Sequence, residues 1–158
     1  FHTLKIEYVD FGGNFDVIHH SELINDLMES KSISVTKSDL KTITYHDPCY
    51  LGRYNDIYDT PRNILQNSTD AHKIVEMENN RNNSFCCGAG GGNMWHEINE
   101  GERVNVVRFR EAVSSGAETI VTACSFCLIM MDDAMRVDGK EEEIKILDIA
   151  EVVNSKIN

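Results

Sequence analysis

The stretch Thr119-Ile120-Val121-Thr122-Ala123-Cys124-Ser125-Phe126-Cys127-Leu128-Ile129-Met130-Met131 decides the fold. Thr119 to Thr122 is a run of β-branched residues, the pattern of a short buried strand. A helix then starts near Ser125. Leu128, Met131 and Met135 recur on its inward side, and Asp132, Asp133 and Arg136 fall outward. Strands alternating with amphipathic helices build a parallel sheet with helices packed on it.

Working outward, the same alternation recurs. Asp16 to His19, Thr42 to Tyr45, Lys73 to Met77 and Ile144 to Leu147 are further candidate strands, each short and mostly apolar. Ser21 is expected to cap a helix whose apolar face is Leu23, Ile24, Leu27 and Met28. Val106, Phe109 and Val113 mark another, which Gly116 would end. The fold class expected is α/β: a parallel sheet flanked by helices, with the cysteine loops at the carboxyl ends of the strands. The methionines read as core filling.

A chain of 158 residues with 41% apolar and 26% charged residues is long enough to bury a core and too apolar to be disordered. Its net charge of −11, with no cluster of basic residues, excludes nucleic acid as an expected partner. The longest apolar run, Phe126 to Met131, falls far short of the ~20 residues that span a bilayer, so no membrane helix is expected in this segment.

The chemistry rests on five cysteines: Cys49, the pair Cys86-Cys87, and Cys124 with Cys127. Thirty-six residues separate Cys49 from Cys86, and thirty-six separate Cys87 from Cys124. An odd number bunched in this way does not suit a disulfide framework and points to metal or redox chemistry in a reducing compartment. Ligands of open α/β sheets collect beyond the carboxyl ends of the strands, where three cysteine loops would converge. Thiolates select zinc or iron-sulfur centres over hard cations. Cys124 and Cys127, three apart at a helix start, share a face and meet the free N–H groups that favour negative charge. Four cysteines complete a zinc site or a cubane cluster; the fifth exceeds both.

Gly88-Ala89-Gly90-Gly91-Gly92 follows cysteines and lacks a complete phosphate-loop motif. Its glycines are read as allowing positive φ and close approach of backbone N–H groups to sulfur. His46, three residues before Cys49, is a strand-end hydrogen bonder, a ligand or a proton carrier. His19, His20 and His96 are read as structural or surface groups. Arg53 either offsets charge at the site or forms a surface ion pair.

The text His46-Asp47-Pro48-Cys49-Tyr50-Leu51-Gly52-Arg53, then Phe85-Cys86-Cys87-Gly88-Ala89-Gly90-Gly91-Gly92, then Thr122-Ala123-Cys124-Ser125-Phe126-Cys127 resembles the cysteine-rich CCG domain of heterodisulfide reductase. It is especially similar to related iron-sulfur oxidoreductases of the glycolate oxidase iron-sulfur subunit and lactate utilisation type. The resemblance covers essentially the whole chain. It implies domains that occur in tandem and hold a 4Fe-4S cluster, which in heterodisulfide reductase is noncubane and bound by all five cysteines. Carried over, Cys49, Cys86, Cys87, Cys124 and Cys127 become the metal ligands. The family usually has Pro where this chain has Ser125, so a looser helix start is expected there.

The function expected is an iron-sulfur electron-transfer domain of an oxidoreductase, which by itself need not be an enzyme. It would pass electrons to a partner subunit, a quinone or a disulfide. The rivals are a structural zinc module using four thiols and a metal-free thiol-disulfide catalyst using Cys124 and Cys127. Cytoplasmic placement is expected, with any membrane association carried by other domains. Val17 to Asn25 echoes Ile146 to Asn154 at an offset of 129. Residues 1–35 are therefore read as the tail of a preceding repeat or a connecting α/β segment, and 36–158 as the cluster-binding domain. The expected partners are other subunits or domains of an oxidoreductase complex, including a preceding homologous copy. Phe1, Leu4, Ile6 and Tyr8 are expected to form a helix-like start packed on little.

Overall fold

The computed structural model describes residues 1–96 and 101–157. Three parallel strands, β1 (Ile43–Tyr45), β2 (Thr119–Thr122) and β3 (Lys145–Asp148), lie side by side in the order β1-β2-β3. Ile43 faces Thr119 across the first ladder, and Thr119 faces Lys145 across the second. Every residue of β1 and β2 is buried, as expected of strands covered on both faces.

Successive side chains of β2 point to opposite faces and separate two cores. Ile120 joins Phe109, Ala112, Met131 and Ala134 from α4 (Val104–Ser114) and α5 (Ser125–Val137). Val121 joins Ile64, Leu65, Ile149 and Val152 from α3 (Asp59–Ser68) and α6 (Ile149–Asn154), with α2 (His20–Glu29) against the same layer. The result is a helix-sheet-helix sandwich. Met77, Met130, Met131 and Met135 all lie in the first core, where unbranched side chains fill the irregular space between α4 and α5. Gly116 ends α4 as expected, with φ of 84° in the left-handed region.

Two expected strands are corrected. Lys73 to Met77 contributes only one parallel bridge, Ile74 to Ile43, with Val75 N–H donating to Ile43 O at 2.8 Å. The segment then leaves the sheet, because Glu76 turns to Arg62 and Met77 drops into the first core. Asp16 to His19 forms no ladder, since among the described residues no strand edge lies beside it.

The cap of α2 is also corrected, from Ser21 to His19, whose Nδ1 accepts from Ser21 N–H at 3.3 Å. Glu22 completes the box by accepting from His19 N–H at 3.0 Å. Asp148 and Glu151 build the same box at the start of α6: Asp148 Oδ1 accepts from Ala150 N–H at 2.8 Å, and Glu151 accepts from Asp148 N–H at 2.7 Å. The sequence echo thus has the same cap in both copies. At the N-terminus, α1 (His2–Lys5) and a 3-10 turn (Glu7–Phe11) bury no residue, and Leu4, Ile6 and Tyr8 stand exposed. The described residues contain no helix long and apolar enough to cross a membrane.

Candidate metal centre

Two of the three cysteine loops leave the carboxyl ends of strands. β1 runs into His46-Asp47-Pro48-Cys49, and β2 runs through Ala123 to Cys124 at the start of α5. Helix α5 begins at Ser125 itself, so serine in place of proline removes no helical residue. Cys127 lies one turn further in, buried.

The third loop follows a 3-10 turn (Arg81–Asn83), not the strand expected at Lys73 to Met77. Polar contacts bring it back to the sheet end. Arg81 N–H donates to Asp47 Oδ2 at 2.7 Å, and Ser84 Oγ donates to Asp47 O at 3.3 Å. Arg53 donates to Ser84 O at 2.8 Å and lines the cavity in front of the thiols. Gly88 then turns the chain with φ of 86°; a Cβ there would stand 3.1 Å from Val104 Cβ and 3.2 Å from Asn105 N. Its N–H donates to Cys86 Sγ at 3.3 Å, as expected of a glycine loop beside sulfur. Gly91 and Gly92 also have positive φ, in a 3-10 turn (Gly90–Trp95).

His46, Cys49, Cys86, Cys87 and Cys127 line one cavity, and a His46 ring nitrogen and the Cys87 and Cys127 sulfurs all lie within 4.8 Å of one another. Cys124 joins them through a hydrogen bond between its thiol and that of Cys127. All five cysteines are free. The Cys127 thiol and the N–H groups of Cys127 and Phe126 at the helix start hold the Cys124 thiol down to about 6. Hydrogen bonds from Cys127 and His46 pull Cys87 strongly down, and Cys127, sharing its proton between two sulfurs, is pushed up. Burial and the neighbouring Cys86 and Cys87 raise Cys49.

Two buried guanidinium groups, neither foreseen from the sequence, support this assembly. Arg62 on α3 grips Asp47 with two bonds, at 2.7 and 2.9 Å, and reaches Glu76 at 2.6 and 2.8 Å. Arg108 on α4, fully buried, donates from Nε to His46 Nδ1 at 3.0 Å. The available signal was positional: Val104, Arg108 and Ala112 follow at i, i+4 on the inward stripe of α4, where a charge demands a partner. His19 and His20 lie apart from the thiol cavity, His20 within 3.4 Å of Asp148.

The family model described as "Cysteine-rich domain", CCG, matches residues 43–132, which include all five cysteines. The chain belongs to the CCG cysteine-rich domain family. Its relatives include a Bacillus subtilis protein named "Probable iron-sulfur-binding oxidoreductase FadF", 38% identical over 157 residues, covering 99% of this chain and 22% of the relative. The EtfAB:quinone oxidoreductase of Syntrophomonas wolfei is 39% identical over 158 residues, covering 96% and 22%. One subunit of the dihydromethanophenazine:CoB–CoM heterodisulfide reductase of Methanosarcina barkeri is 33% identical over 156 residues, covering 97% and 37%. The chain therefore spans between about a fifth and two-fifths of the length of these relatives.

A sulfur-ligated CCG centre fits the donors present. The thiols are soft ligands, several of them biased toward thiolate, and the nearest carboxylate, Asp47, is committed to Arg62 and Arg81.

Proposed function

We propose that this CCG domain is the iron-sulfur electron-transfer domain of an oxidoreductase, with Cys49, Cys86, Cys87, Cys124 and Cys127 holding a 4Fe-4S cluster of noncubane type. The observation that carries the reading is the gathering of five free thiols, up to 78 positions apart, from three loops at one end of a parallel sheet. When bound, the cluster supplies one-electron transfer.

The protein's own residues do the rest. Arg62 and Arg108 anchor the His46-Asp47 segment that presents Cys49, while the start of α5 supplies N–H groups to Cys124. Gly88 allows the backbone to pass close to sulfur. Electrons leave to a partner subunit or domain, and the names of the relatives support a quinone or a disulfide as the eventual acceptor. Cys124 and Phe126 also line an open groove of about 680 Å³ with Phe1, Leu4, Val17 and Ile18, an exposed apolar face suited to such a partner. A preceding homologous copy is the partner proposed, with residues 1–35 as its tail. The matched caps at His19 and Asp148 support that division. Free thiols in this number suit a reducing, cytoplasmic compartment.

Iron and labile sulfide measured after anaerobic reconstitution test the reading, together with the paramagnetic signal of the oxidised cluster. Replacing Cys86 or Cys87 by Ser should lower iron content or alter that signal. A full iron complement with an unchanged spectrum in either variant reduces the site to four ligands. Zinc in place of iron overturns the proposal.

A further inference from the structure

We infer that Arg108 fixes the ring proton of His46 on Nε2, so that His46 serves the thiol centre as a hydrogen-bond donor to the Cys87 sulfur and not as a metal ligand. A guanidinium group has only donors. Arg108 Nε points at His46 Nδ1 from 3.0 Å, so Nδ1 must offer its lone pair. The guanidinium cannot turn away to relieve this demand. It is fully buried, and its other nitrogens donate to Asn79 O at 2.9 Å, Glu111 Oε2 at 2.6 Å and Ser84 Oγ at 3.1 Å. A proton on Nδ1 would set two donors against each other in a dry site. The neutral ring therefore carries its proton on Nε2.

Arg108 occupies Nδ1, so Nε2 is the nitrogen left to face the buried Cys87 and Cys127 sulfurs, and His46 hydrogen-bonds Cys87. This arrangement reverses the usual metal-bound histidine, whose second nitrogen donates to a carboxylate or carbonyl while the first gives its lone pair to the metal. Here the nitrogen facing the thiols has no lone pair to give. His46, Cys87 and Cys127 have the composition of a zinc site but lack the proton inventory of one. What the ring can offer is an N–H···S hydrogen bond. Such a bond stabilises the more negative, reduced state of a sulfur-ligated cluster and raises its reduction potential. Arg108 acts through His46 and is a positioning residue.

The redox consequence rests on the iron-sulfur reading; the proton placement does not, and the experiment separates the two. Histidine-selective nitrogen-15 NMR of the intact protein, with His46 assigned from a variant, should show Nε2 protonated and Nδ1 bare. A proton on Nδ1, alone or on both nitrogens, overturns the inference. After reconstitution, His46→Gln keeps an acceptor for Arg108 and a donor for Cys87, whereas His46→Leu keeps neither. Both should hold the wild-type amount of iron. The midpoint potential should shift negative in His46→Leu and return toward wild type in His46→Gln. Loss of iron in both variants, or an unshifted potential in His46→Leu, overturns the inference. If His46→Leu does not fold, Arg108→Lys carries the same test, because the ring proton should then redistribute between the two nitrogens; an unchanged tautomer refutes the role of Arg108. A wild-type protein that takes up no iron overturns only the cluster reading, and the nitrogen signals still decide where the proton sits.

Discussion

Replacing Asp47 by Ala should be among the most damaging single changes outside the cysteines. The side chain is 1% exposed and accepts three bonds: two from Arg62, at 2.7 and 2.9 Å, and one from Arg81 N–H at 2.7 Å. Removing one partner of a buried ion pair costs about 3–5 kcal/mol, mostly through the charge left behind. The lower end applies here, because Arg62 keeps Glu76 and Tyr58 O and so is not left bare. Urea unfolding should show a loss of about 3 kcal/mol, a midpoint lower by about 1.5 M at a slope of about 2 kcal/mol/M. Glu76→Gln is the internal control. Its carboxylate is 39% exposed, and such a pair contributes less than about 1 kcal/mol. Asp47→Ala should also slow metal uptake, since both Cys49 and the loop bearing Cys86 depend on it for position. A loss below about 1 kcal/mol, or one equal to that of Glu76→Gln, would refute the view that Asp47 anchors the site.

The glycine loop provides a paired test: Gly91→Ala meets open space and should cost about 1 kcal/mol from its positive φ alone. Gly88→Ala adds the approach to Val104 and should cost more, about 2 kcal/mol, with impaired metal uptake; equal costs in thermal unfolding would remove crowding from the account. The third prediction concerns acid. Burial, and then the neighbouring His20, lower His19 from 6.5 to about 4, so the folded protein keeps it neutral while the unfolded chain takes up a proton. Its contribution is complete above pH 6.5 and is lost as pH falls from 6.5 toward 4. His19→Asn, which retains a capping acceptor without titrating, should flatten that part of the stability profile measured by urea midpoints; an unaltered slope would contradict the assignment.

Much of the site was legible because its signals are local. The spacing of Cys124 and Cys127, the strand entering them and the helix leaving them lie within a dozen residues, and local geometry suffices to put both thiols on one helix face. The same holds for the methionines of α5, whose 3.6-residue recurrence marks the buried side, and for Gly116 and Gly88, where backbone conformation alone calls for glycine. Strand pairing is another matter. Asp16 to His19 has the same composition as the true strands and forms none, because a strand exists only where a neighbouring edge offers hydrogen bonds. Lys73 to Met77 touches such an edge at one residue before Glu76 and Met77 find better partners. Arg62 and Arg108 show the limit most clearly. A buried charge is stable only with partners that arrive from elsewhere in the chain, so their value was invisible until the fold set Arg62 beside Asp47 and Arg108 beside His46, which is 62 residues away from it in sequence. The amino-acid sequence by itself determined which atoms could bind a soft metal and on which local frames they sit; tertiary packing decided which groups hold those frames in place and where the ring proton of His46 resides, because both depend on electrostatic contacts between segments that sequence proximity does not encode.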